Sequence, residues 1–289
     1  MLRQFPFIFA LATSGSSVMA IDLAPLWNFA EPEVSEQRLR SALSTATGDD
    51  ALILQTQIAR TYGLRRDFGK AQAILNSLEP QIQTAGAEAR ARHALETGRT
   101  YASATHPPES QTEEAKGRAR AAYMRAYEVA KSGQLDGLAV DALHMLAFVD
   151  TAPSDQLKWG QEALAIAQAS SQPSAKNWEA SLRNNVGYAL HQLGRYDEAL
   201  SQFKQAVVLR ERGTDLQATR VACWMVGWTL RALNRIDEAL QTQLRLEREH
   251  EAAGAPSPYV FGELELLYRA KGDEARANHY AGLKRAVAK

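Results

Sequence analysis

The chain has 289 residues, 33 basic side chains against 33 acidic ones, and a single cysteine. Fifty alanines stand against twenty valines and isoleucines combined. Alanine is the best helix former and β-branched residues favour strands, so a sheet-based fold is excluded and an all-α chain is expected. Apolar content of 45% is too high for a disordered chain, the neutral balance argues against a dedicated nucleic-acid binder, and one cysteine excludes a disulfide framework or a cysteine-rich metal cluster.

In chain order, residues 1–20 read as a signal peptide. Arg3 gives a positive start, Phe5–Ala12 an apolar core, Thr13–Ser17 a small polar stretch, and Val18-Met19-Ala20 places small residues before a cut at Ile21. The stretch is too short to span a bilayer, and no cysteine follows the cut to carry a lipid anchor. Cleavage after Ala20 removes Arg3 and leaves a mature charge of 32 − 33 = −1. The expected location is periplasmic or secreted, with no transmembrane segment in the mature chain. Residues 21–48 form an N-terminal segment with a capping helix over Pro32–Ala46.

Proline lacks an N–H and clashes with the preceding turn, so the prolines outline helices by exclusion. The long proline-free run from Lys176 to Ala255 needs other breaks, supplied by Gly194-Arg195, Gly213-Thr214 and Asn234-Arg235. The resulting helices are about 12–18 residues long, ordinary for paired helices.

A repeat emerges within that run. Arg183–Arg210 and Cys223–Arg248 coincide at Val186-Gly187/Val226-Gly227, Leu190/Leu230, Leu193/Leu233 and Asp197-Glu198-Ala199-Leu200/Asp237-Glu238-Ala239-Leu240. The same phase marks residues 59, 98, 147, 187, 227 and 265, at spacings of 39, 49, 40, 40 and 38. The one long spacing holds the loop Thr105–Glu113 with Pro107-Pro108. Val186-Gly187-x-x-Leu190 on a first helix and Ala199-x-x-x-Phe203 on a second resemble the tetratricopeptide repeat. Arg183 stands where that family has a Trp, and Glu211 where it has a Pro. The longer period and Asn184-Asn185 are similar to extended repeats of kinesin-light-chain type. The resemblance implies a right-handed superhelical solenoid of about six helix-turn-helix units over residues 49–289, first helices lining the inner face. The basic tail Asn278–Lys289 reads as a capping helix with favourable charge at its C-terminal end.

Candidate chemistry is sparse. No two of the histidines 93, 106, 144, 191, 250 and 279 lie at helical metal spacing, and the motifs of phosphate loops, zinc proteases and serine hydrolases are missing. Asp197-Glu198 and Asp237-Glu238 read as helix-start charge before acid–base pairs. Cys223 reads as a helix-packing thiol. No catalytic residue, metal or cofactor is expected.

Residues three, four and seven apart share a helix face. Trp224, Trp228 and Arg231 form such a stripe, with Asn184, Tyr188 and His191 in the same slots forty residues earlier, and His144, Phe148 and Thr151 forty before that. Phe148, Tyr188 and Trp228 thus make an aromatic row. His191 reads either as a ligand contact or as a plain exposed histidine. Toward the N-terminus the row's slot holds Arg99 and Arg60, with Arg92 one stripe over. The groove is expected to be aromatic in its middle and basic at one end. Aromatics and Arg anchor interfaces, Arg forks suit carboxylates, and an Asn amide pairs with backbone. The reading is a non-catalytic scaffold holding a protein or peptide segment with an acidic group near the arginines. Two alternatives stand: a module for a small envelope-derived ligand, or an accessory subunit of an envelope enzyme complex. The carboxylate clamp of chaperone-binding relatives is not reproduced, since Asn184 stands where a lysine is implied. An open groove favours a peptide; a closed pocket between Tyr188 and Trp228 favours a small ligand.

Overall fold

The computed structural model describes residues 21–287. The expected signal peptide lies outside the described residues. Among the described residues there are fourteen α-helices and no strand. Helix α1 (Pro32–Leu43) packs on α2 and ends short of the expected Ala46. Six helix pairs follow: α2 (Gly48–Leu64) with α3 (Phe68–Ile82), α4 (Ala87–Tyr101) with α5 (Glu113–Ser132), and α6 (Asp136–Val149) with α7 (Pro153–Ala169). After the four-residue α8 (Pro173–Lys176) come α9 (Glu179–Gln192) with α10 (Tyr196–Arg210), α11 (Leu216–Ala232) with α12 (Ile236–Ala252), and α13 (Pro258–Ala270) with α14 (Glu274–Val287).

The turns inside the pairs explain why the helices stop where they do. Arg66, Gly194, Asn234 and Gly272 adopt φ of 65°, 74°, 58° and 74°. In each case the following N–H donates 2.9 Å back to a carbonyl five residues earlier: Asp67 to Tyr62, Arg195 to Leu190, Arg235 to Leu230, Asp273 to Tyr268. This left-handed closure satisfies carbonyls the helix end would leave open. Gly194 and Asn234 were expected to break the chain here. Arg66 was not, and it takes the same conformation with a Cβ. Pro32, Pro153, Pro173 and Pro258 each open a helix, where the missing N–H costs nothing. Pro80 departs from the exclusion rule. It sits inside α3, but in the last turn, where only one hydrogen bond is forfeited. Of the expected capping tail, residues 278–287 belong to α14, the last described helix.

Small residues on the first helices receive bulk from the second. A Cβ added to Gly187 would meet the Phe203 ring at 2.7 Å, and one on Gly227 would meet Gln243 at 2.5 Å; Gly98 faces Tyr123 in the same way. Ala59 packs with Ala71 and Leu75. Glu265 occupies this slot in the last pair, where it pairs with Arg269 and Lys284. Ala147 is half-buried, and tight packing in its pair falls to Ala142, Leu143 and Leu146, all at 0% exposure. One buried cluster runs from Ala91 to Phe203 across the middle pairs. Each fully buried Leu in it contributes about 1.5–3 kcal/mol.

First helices of neighbouring pairs touch, α2 with α4, α4 with α6, α9 with α11 and α11 with α13, whereas no two second helices approach as closely. The first helices therefore converge on the concave side of the solenoid. Helix α8 packs on α6 and α7 and carries Trp178 in behind it, between pairs three and four.

Candidate functional site

Two clusters occupy the concave side. The first is charged. Arg99 on α4 donates Nη1 to Glu96 Oε1 and Nη2 to Asp141 Oδ1, both at 2.6 Å. Arg60 on α2 reaches Glu96 Oε1 with Nη1 at 3.5 Å. The faces of Trp27 and Phe29, stacked on each other at 4.7 Å, each lie 5.5 Å from the Arg60 guanidinium. Burial works against the Asp141 carboxylate, yet the Arg99 and Arg60 charges outweigh it and hold Asp141 below the usual range. Burial also works against the Arg99 charge, and Asp141 and Glu96 outweigh it, so Arg99 is held more firmly protonated. Arg60 goes the other way: burial and then the Arg99 charge lower it. These side chains line a concavity of about 230 Å³, with His144 and Trp178 on its far wall.

This corrects the expected basic end. Arg60 and Arg99 face Glu96 and Asp141, so the charges balance within the fold. Arg92 turns aside to Glu88 at 2.8 Å and lines a different hollow, with Leu135 and Trp178. The insertion of the second pair borders the same concavity. His106 stacks on Phe68 at 3.7 Å, its Nδ1 is 2.9 Å from Ser103 Oγ, and its Nε2 is 3.1 Å from the Thr100 carbonyl. Thr105 Oγ1 donates to the Gly63 carbonyl at 3.3 Å. Those contacts pin the loop to the end of α2.

The second cluster is aromatic. Trp228 on α11 lies 6.0 Å from Tyr188 on α9 and 5.7 Å from Trp224, all near-parallel, and Tyr259 on α13 meets Trp224 edge-on at 6.3 Å. His191 lies flat on Trp228 at 3.3 Å and meets Tyr196 edge-on at 4.8 Å. It is neither free nor plainly exposed: burial, and then the Arg231 charge, push its pKa down from 6.5 to about 4, so the ring is neutral. Arg231 forks onto Glu263 at 2.7 and 2.9 Å, and that bond raises its pKa. Asn184 Oδ1, His191 Nε2 and Trp224 Nε1 are buried without partners. Tyr188 and Tyr259 remain 41% and 73% exposed, which leaves this row open to solvent.

Phe148 makes no ring pair with Tyr188. The two are joined by a hollow of about 240 Å³, lined with His144, Phe148, Gln156, Asn184, Tyr188 and Met225. Asn185 donates Nδ2 to His144 Nδ1 at 3.3 Å and ties α9 to α6 across the gap made by α8. Tyr188 and Trp228 stack on each other, so no closed slot exists between them. The structure thus brings together Asn184, Tyr188, His191, Trp224, Trp228 and Arg231, sets Phe148 across a hollow, and gathers Arg60 and Arg99 apart from Arg92.

The glutamates among the helix-start acids are engaged locally. Glu198 takes a fork from Arg195 and Glu238 one from Arg235, every bond at 2.7 Å, on exposed turns. Cys223 is buried, burial raises its thiol pKa, and Arg245 Nη2 lies 3.2 Å from Sγ. Among the described residues, no cluster of three His, Cys, Asp or Glu is arranged to hold a metal ion, and no helix is long and apolar enough to cross a membrane. Sequence reasoning missed Glu96, Asp141 and Glu263. A signal existed: Glu96 and Glu263 share one slot, two residues before the phase-marking position, and each meets an arginine of the preceding first helix.

With this geometry in place, the class is plain: an all-α solenoid of tetratricopeptide-like helix pairs. Residues 178–247, from α9 into α12, match the tetratricopeptide repeat family. No curated protein matches the chain in sequence. Among solved structures, the chain is similar to a signal-transduction ATPase with numerous domains and a tetratricopeptide repeat sensor from Pyrococcus horikoshii. The identity is 14% and the TM-score 0.69, over 88% of this chain and 39% of that one. It is also similar to the apo form of RapI, at 14% identity and a TM-score of 0.70, over 90% of this chain and 71% of that one. A third likeness is aspartyl phosphate phosphatase F from Bacillus subtilis, at 16% identity and a TM-score of 0.54, over 92% and 79%. At these identities the likeness is one of fold.

Proposed function

We propose that the protein is a non-catalytic, exported scaffold that holds an extended segment of a partner protein along its concave side. The observation that carries the reading is the open row Tyr188–Trp228–Trp224–Tyr259, whose rings are already ordered by one another. Ordered aromatics give large contact area at low entropic cost, which is why they anchor interfaces. Asn184 Oδ1 and Trp224 Nε1, an acceptor and a donor, lie buried and unpaired beside them. The mutual stacking of Tyr188 and Trp228 favours a segment lying across the row over a small ligand slotted between the rings. Export rests on the leader-like residues 1–20.

The test is affinity capture from an extract of the envelope compartment with wild type and Tyr188→Ala/Trp228→Ala. Loss of the captured partner at unchanged helicity supports the reading; an unchanged partner set overturns it. Sequencing the N-terminus of the mature protein is expected to give Ile21, and a retained Met1 contradicts export.

A further inference from the structure

The charged concavity between α2, α4 and α6 has a pattern that the scaffold reading does not use. Its four ionised groups, Arg60, Arg99, Glu96 and Asp141, sum to zero. Arg99 is held by two carboxylates at 2.6 Å each. Two atoms are left over. Glu96 Oε2 is an acceptor and Arg60 Nε a donor; both are buried, and neither has a partner. Glu96 is only 2% exposed, so its free oxygen has lost its bulk-water contacts. Both residues line the same concavity of about 230 Å³.

The leftover pair defines what fits. A carboxylate or phosphate would meet Arg60 but would be brought against Glu96 and Asp141. An ammonium would suit Glu96 but face two guanidiniums. A hydroxyl offers its donor and acceptor at a single atom. A carboxamide carries a carbonyl for Arg60 Nε–H and an N–H for Glu96 Oε2 at two adjacent atoms, and adds no charge to a balanced site. Burial keeps the neighbouring His144 below its ordinary pKa, which preserves that balance. The stacked Trp27 and Phe29 lie against the Arg60 guanidinium. His144 also lines the hollow beside Phe148 and Tyr188, so the two hollows adjoin at that ring.

We propose that this concavity is a subsite for a carboxamide side chain, Asn or Gln, of the segment held in the groove. The proposal deepens the scaffold reading and rests on it for the source of the side chain. The experiment uses small probes: N-acetylglutamine methylamide and its asparagine, glutamate and lysine counterparts, titrated into isotope-labelled protein and followed by NMR. The two amides are expected to bind at millimolar concentration and to shift the Arg60 Nε–H signal and the Gly63 and Thr100 amides. The glutamate and lysine probes are expected to bind about tenfold more weakly or worse. Arg60→Lys keeps the charge, removes Nε–H, and is expected to weaken the amides about tenfold at unchanged circular dichroism. Should that variant lose helicity, the wild-type ranking of the four probes decides alone. Equal or tighter binding of the glutamate probe, or no amide-induced shift at Arg60, overturns the subsite. Binding of the amides to Tyr188→Ala/Trp228→Ala is expected to be unchanged, so a failure here and a failure of the aromatic groove are read separately.

Discussion

The charged cluster and the aromatic row lie on the same concave surface, built from equivalent slots of successive first helices, yet they spend their side chains differently. In the charged cluster the charges are met within the fold, Arg99 onto Glu96 and Asp141 and Arg92 onto Glu88, and only Arg60 Nε and Glu96 Oε2 are left over. In the aromatic row the rings order one another but leave edges, faces and three polar atoms unengaged. The lesson is that residue type alone does not make a binding surface. Arginine in a groove slot serves the fold when two carboxylates hold it closely, as they hold Arg99, and aromatics facing only one another remain available.

The comparison can be broken most severely at Arg99. Arg99→Met leaves Glu96 and Asp141 with Arg60 as their one remaining cation in the cluster and is expected to cost about 3–5 kcal/mol, read by urea unfolding. A cost under about 1 kcal/mol would show the cluster to be solvated and open. In the aromatic row the loss should fall on binding instead. Tyr188→Ala is expected to weaken partner binding by about 2 kcal/mol or more, measured by calorimetry once the partner is in hand, with stability changed by less than about 1 kcal/mol.

A smaller effect tests the packing that positions both regions. Gly187→Ala drives a Cβ to 2.7 Å from the buried Phe203 ring, and is expected to lower stability by about 1–3 kcal/mol. Gly117→Ala, where a Cβ meets nothing within 4 Å, is expected to raise it by up to about 1 kcal/mol. A pH slope gives a separate test. His191 titrates near 6.5 when unfolded and near 4 when stacked on Trp228, so the unfolded state binds more protons in that window. Stability therefore falls as pH drops from about 6.5 toward 4. His191→Phe keeps a ring on Trp228 and is expected to flatten that slope in unfolding curves taken across the range.

The helical phase was legible because it is local. Gly187 and Gly227 sit forty residues apart in one slot, and the turns at Gly194 and Asn234 follow from residues that tolerate positive φ. Arg66 in the equivalent turn was not legible, since nothing in its side chain favours that conformation; the packing of α3 on α2 imposes it. The aromatic row was legible for the same reason as the glycines. What the arginines do was not, because their partners come from other repeats: Arg60 and Glu96 are 36 residues apart, Arg99 and Asp141 42, Arg231 and Glu263 32. A helical wheel shows which face an arginine occupies and is silent on what stands opposite. His191 was hidden likewise, its ring covered by a tryptophan from the next pair.

The most direct measurement of the central claim is site-specific photo-crosslinking with benzoylphenylalanine placed at Tyr188 on the concave side, or at Val208 on α10, which is 52% exposed on a second helix. The account predicts that the probe at Tyr188 captures a discrete protein partner and the probe at Val208 does not. Capture from Val208 with none from Tyr188 would place the binding surface on the outer helices and contradict it.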